Sequence, residues 1–87
     1  MTTFINEVQI TEADCRQGWY DIDTAKGKHL QVVFDFGRVF VKQINSTVRA
    51  YGNFTMGREF ATLADAVEAY KNKDIKQALR ALISHLV

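Results

Sequence analysis

The stretch "KHLQVVFDFGRVFVKQI", residues 28–44, decides the fold. Two runs rich in β-branched and aromatic residues flank Asp35-Phe36-Gly37-Arg38, where Gly37 is free to take the positive φ of a tight turn. Phe36-Gly37 is not the favoured Asn-Gly pair, so the turn type stays open. With these two residues as the loop, Phe34 faces Val39, Val32 faces Val41 and Leu30 faces Gln43, giving one nearly continuous apolar face. The other face sets Asp35 by Arg38, Val33 by Phe40, Gln31 by Lys42 and His29 by Ile44. A slip of one residue exchanges the faces and pairs the charges badly, so the register supports itself.

The apolar face needs a covering layer, and the C-terminal third supplies one. From about residue 60 the apolar period changes from two to 3.6. Ile75, Ala78, Leu79, Leu82, Ile83 and Leu86 make one helical face, with Lys76, Gln77, Arg80 and Ser84 on the other. Asp74 is the expected N-cap, with Gln77 completing a capping box. Before it, Leu63, Ala66, Val67 and Tyr70 form a second stripe, started by Thr62 and Asp65. The short link "KNK" (71–73) predicts that the two helices fold back on each other.

Upstream, Phe4 to Ile10 reads as one strand, "TEADCRQ" (11–17) as a helical turn or a loop ended by Gly18, and "WYDIDTA" (19–25) as a further strand. Downstream of the central hairpin, a turn at Asn45-Ser46 leads to a third strand that would set Val41 by Ala50, Phe40 by Tyr51 and Lys42 by Arg49. The expected architecture is α+β: an antiparallel sheet of three to five strands followed by two C-terminal helices packed on one face.

Composition agrees with a single domain spanning 1–87, since 47% of the 87 residues are hydrophobic and 24% charged. No apolar run approaches the roughly 20 residues of a membrane helix, and the N-terminus lacks a signal-peptide pattern, so no membrane partner and a cytoplasmic location are expected. The lone Cys15 has no partner for an internal disulfide and no nearby Cys or His at metal-ligand spacing, and its acidic surroundings make it a poor nucleophile. The formal charge of +1 gives no global field. Its distribution is uneven: in residues 1–25 Arg16 stands alone against Glu7, Glu12, Asp14, Asp21 and Asp23, and the rest of the chain is basic. Five glycines are scattered singly, so no phosphate-binding loop exists, and no metal or cofactor is expected.

The segment "RAYGNF" (49–54) spells basic, aromatic, glycine, aromatic, like the RNA-reading strand of an RRM domain. The resemblance fails on architecture, because that fold needs a helix between its first two strands and here both convincing helices come last. A narrower feature survives. On the derived register, Arg38, Phe40, Lys42, Arg49 and Tyr51 share one sheet face, and aromatics interleaved with cations can stack on bases or grip a protein. Alternatively that face is covered and its aromatics are core. Of the adjacent Trp19 and Tyr20, one is a candidate interface anchor, the alternative being that both are core.

Asp21, Asp23 and His29 form the remaining candidate, a paired-carboxylate pocket with no recognisable triad. The leading expectation is a non-enzymatic module that occupies a surface on a larger protein partner. Chains of this kind include phage and mobile-element inhibitors of host complexes such as CRISPR effectors, which would act by steric contact. A nucleic-acid-binding module using the basic and aromatic face is the alternative, and homodimerisation through a sheet face or edge is compatible with either.

Overall fold

The computed structural model describes residues 2–13, 17–44 and 57–87. They form an antiparallel sheet of six strands followed by two α-helices. The strands are β1 (Thr2–Ile5), β2 (Val8–Glu12), β3 (Trp19–Asp23), β4 (His29–Asp35), β5 (Arg38–Ile44) and β6 (Arg58–Phe60). The helices are α1 (Leu63–Ala69) and α2 (Lys73–Leu86). The strands lie side by side in chain order, a simple meander. No helix among the described residues is long and apolar enough to cross a membrane.

The central hairpin forms in the derived register, with all seven pairs from His29↔Ile44 to Asp35↔Arg38 in place. Phe36 and Gly37 both take positive φ, 53° and 69°, as a type I′ turn demands. The Asp35 carboxylate supports the turn by accepting a 2.9 Å bond from the Phe36 amide.

The sheet has one strand more than the expected maximum, because the N-terminal stretch is a hairpin and not a single strand. Asn6 and Glu7 both adopt left-handed φ, 49° and 69°, and fold Ile5 onto Val8. Glutamate is a poor left-handed residue, so the turn has only half of the usual Asn-Gly signal. The expected third strand at 49–54, with the turn at Asn45-Ser46, lies outside the described residues. The ladder places beside Phe40 and Val41 are held by Glu59 and Arg58 of β6, which corrects the pairing expected with Tyr51 and Ala50. Arg58 is therefore a strand residue. Its guanidinium sits over the rings of Phe60 and Tyr70, 5.2 and 4.9 Å from their centroids. Burial raises the Tyr70 pKa, against the downward pull of Arg58.

The helices cover the face predicted for them. Leu63, Ala66, Val67, Ile75, Ala78, Leu79 and Leu82 pack on Val8, Ile10, Ile22, Leu30, Val32, Val39 and Val41. Each buried Val, Leu or Ile among them contributes about 1.5–3 kcal/mol. Tyr20 joins this core, with its ring edge-on to Phe34 and His85. Burial raises its pKa, and the hydrogen bond and charge of Glu12 add to the shift.

Thr62 caps α1 as expected, accepting from the Asp65 amide at 3.1 Å. The cap of α2 differs. Asn72 holds that position, accepting from the amides of Asp74 and Ile75 at 2.9 and 3.1 Å. Asp74 turns inward instead, where its carboxylate accepts from the Thr24 hydroxyl and from the Lys26 amide at 3.3 Å. Thr24 Oγ1 also accepts from the Lys28 amide at 2.9 Å, so one buried chain of bonds clamps the β3–β4 loop to the start of α2.

Gly18 ends the loop before β3 with φ +82°, and its carbonyl accepts from the Phe34 amide at 2.9 Å. A Cβ there would stand 3.1 Å from the Phe34 carbonyl oxygen. Gly18→Ala is expected to cost about 1–3 kcal/mol in urea unfolding, combining left-handed strain with the close approach. Gly37→Ala shares the left-handed φ but meets open space, so it should cost less.

Candidate functional site

The face away from the helices carries most of the side chains singled out from the sequence. The registers align them in rows across the sheet. Trp19, Val33, Phe40 and Glu59 form one row, Thr11, Asp21, Gln31 and Lys42 the next, and Gln9, Asp23, His29 and Ile44 a third. The period of two produces these rows, because every second residue of each strand points to this side.

Much of this face is closed. Trp19, Val33 and Ala13 form a second small core, against which the half-buried Phe40 packs. Trp19 and Tyr20 are both only 7% exposed, on opposite faces, so neither is presented as an anchor: each face has its own apolar cluster. Gln31 and Asp21 are buried, and the Gln31 amide donates to the Asp21 carboxylate at 3.4 Å. His29 Nδ1 pairs with the Asp23 carboxylate. Arg38 Nε donates to Glu59 Oε2 at 2.9 Å, which neutralises one of the expected cations.

Arg38, Phe40 and Lys42 thus come together on one face, as the register implied, and the pairing of β3 with β4 brings Trp19 to the same face. Arg49 and Tyr51 lie outside the described residues, as does Cys15. Asp21, Asp23 and His29 also share the face. No group of three or more His, Cys, Asp or Glu side chains placed to hold a metal ion occurs among the described residues.

The conspicuous feature is one that pattern reading missed. Phe36, at the tip of the β4–β5 hairpin, is 88% exposed. An aromatic ring here is doubly unfavourable, since it faces water and occupies a left-handed position better suited to Asn, at a cost of about 1–2 kcal/mol. Beside it lies an open depression of about 520 Å³ whose apolar lining comes from Phe34, Phe36, Val39, Ala61 and Leu63. Asp35 and Arg38 flank the ring in sequence, so the tip offers apolar surface between opposite charges. The available signal was the turn itself: Phe in place of Asn before Gly37 breaks a local rule without any packing reward.

Comparison with protein-family models, curated proteins and solved structures finds no match to this chain.

Proposed function

We propose that the chain is a non-enzymatic protein-interaction module that docks the tip of its β4–β5 hairpin into an apolar recess on a larger protein. The observation that carries this reading is Phe36, almost fully exposed in a turn whose backbone disfavours it. Strained, exposed residues held by a rigid surround are typical of binding sites, and a single aromatic anchor can dominate an interface. The hairpin fixes in advance the backbone that carries the ring, which lowers the backbone entropy lost on docking. Such a module works by occupying its partner's surface, as an adaptor or a steric inhibitor.

The nucleic-acid alternative is less well supported. Asp21, Asp23, Asp35 and Glu59 share the outer face with Arg38 and Lys42, so the potential there is mixed and not a phosphate-binding field.

Phe36→Asn separates function from folding. Asn followed by Gly37 is the preferred type I′ pair, so the variant should unfold at an equal or higher temperature, with a gain of up to about 1 kcal/mol. Binding should fall at the same time. The measurement is capture of proteins from nuclease-treated lysate on immobilised wild type and on the variant. A protein retained by wild type and lost with the variant supports the reading. Equal capture by both, or recovery of nucleic acid alone when nuclease is omitted, overturns it.

A further inference from the structure

The uneven charge of the chain gathers at one corner of the fold. Segments 24–28 and 71–80 hold Lys26, Lys28, Lys71, Lys73, Lys76 and Arg80 against one carboxylate, the buried Asp74. Asp74 brings the two segments together. Its carboxylate holds the Thr24 hydroxyl and the Lys26 amide, and Thr24 Oγ1 in turn holds the Lys28 amide. The clamp thus fixes the β3–β4 loop through two backbone amides and a hydroxyl, and neither lysine ammonium is used in it. Lys71 and Lys73 flank Asn72, the cap of α2, and Arg80 follows Lys73 on the exposed helix face, about 10 Å along the axis. Lys76 donates to the Val67 carbonyl and keeps its charge. Among the described residues no carboxylate forms an ion pair with Lys26, Lys28, Lys71, Lys73 or Arg80. Asp23, the acid nearest to the loop in the chain, is held by His29.

What the corner lacks narrows the choice of partner. The exposed large hydrophobics of the described surface are Phe4, Phe36, Leu86 and Val87, and none belongs to it. Protein interfaces are enriched in aromatic residues and depleted of lysine, so a lysine cluster without an aromatic suits phosphates better than a protein surface. A membrane holds a polybasic segment stably only with a second, apolar signal, which is missing here. Single-stranded nucleic acid is gripped by stacking its bases on aromatic rings, so the lack of rings favours a duplex.

We propose that this corner binds the phosphate backbone of a nucleic-acid duplex without reading its sequence. The surface is distinct from the outer sheet face, where Arg38 is tied to Glu59 and carboxylates stand among the cations. It is also distinct from the Phe36 tip. The clamped loop and the tip lie at opposite ends of the seven-residue β4, roughly 20 Å apart, so one chain has room for a protein at one end and a duplex at the other. Lysine suits such contacts, as a point charge on a flexible stem that meets a phosphate without demanding a fixed geometry. The affinity comes from counterions released by the duplex, which ties it to the salt concentration.

The test is fluorescence anisotropy of a labelled DNA duplex of about 20 base pairs, titrated with the full chain from about 20 to about 150 mM salt. Contact with about four phosphates gives a slope of log K against log salt near about −3.6. Lys26→Gln and Lys73→Gln should each make the slope shallower by about 0.9 and weaken binding about threefold or more at the lowest salt. Both side chains are exposed, so the circular dichroism spectrum should not change. Duplexes of unrelated sequence should bind equally to within about twofold. Lys42→Gln, the same change of charge on the outer face, should bind as the wild type does. No binding at the lowest salt, or a slope near zero, overturns the proposal. So does a loss with Lys42→Gln as large as with Lys73→Gln. Tighter binding to a single strand of the same length, to poly-glutamate or to phosphatidylserine vesicles also overturns it, and names the occupant instead.

Discussion

Asp74→Ala is expected to destabilise the protein by about 2–4 kcal/mol, well beyond the roughly 1 kcal/mol expected for Asn72→Ala at the helix cap. The reason is position. The Asp74 carboxylate is buried and holds the Thr24 hydroxyl and the Lys26 amide, two groups on a loop far away in sequence. Alanine would leave the buried Thr24 hydroxyl without its acceptor, and hydrogen bonds to a carboxylate are among the stronger ones. It would also remove a negative charge from the first turn of α2, where the helix dipole favours one. Asn72→Ala loses a neutral side-chain cap, which typically contributes about 1 kcal/mol. The check is the urea midpoint of each variant followed by circular dichroism. Should Asn72→Ala prove the more damaging, the loop clamp does not carry the load assigned to it.

Leu79→Ala is expected to cost about 2–5 kcal/mol, a large share of the total for a domain whose whole stability is of order 5–15 kcal/mol. Leu79 is fully buried between α2 and the sheet, in the core that also contains Val8, Ile10 and Leu30. The loss combines the transfer term with a cavity that surrounding strands cannot close without breaking their ladders. Leu86→Ala, on the same helix but 45% exposed, should change stability by less than about 1 kcal/mol. Thermal midpoints measured side by side distinguish the two, and similar shifts would contradict the packing described for α2.

The success of the hairpin register and the failures elsewhere have one physical cause. Residues 28–44 contain two strands, their turn and both faces, so local alternation sufficed to set Val32 against Val41 and Gln31 against Lys42. The helices were legible for the same reason, since their stripes are periodic and Thr62 sits where a cap belongs. Asp74 was misassigned because its partners are brought to it by the tertiary fold, and a carboxylate before an apolar stripe looks like a cap from sequence alone. The Asn6-Glu7 turn escaped notice because it lacks glycine. Of the candidate site, the shared face of Arg38, Phe40 and Lys42 followed from alternation, but the arrival of Trp19 on it and its degree of closure did not. Alternation gives the side on which a ring projects and says nothing of what stands above it, so Trp19 proved buried and Phe36 exposed.

The meander also orders events in time. Each strand pairs only with its neighbours in the chain, and most of those neighbours follow within a short turn. Such hairpins close quickly, because little chain entropy is lost before their contacts form. The bonds that seat α2 are of another kind: they join residues 50 positions apart at Thr24 and Asp74, and 71 apart at Asn6 and Gln77. During synthesis α2 follows every strand it must cover. A nascent chain that has made its hairpins therefore carries the inner faces of Val32 and Val41 open to water until the helix arrives. That interval, and not the finished fold, is when this protein most needs protection from aggregation.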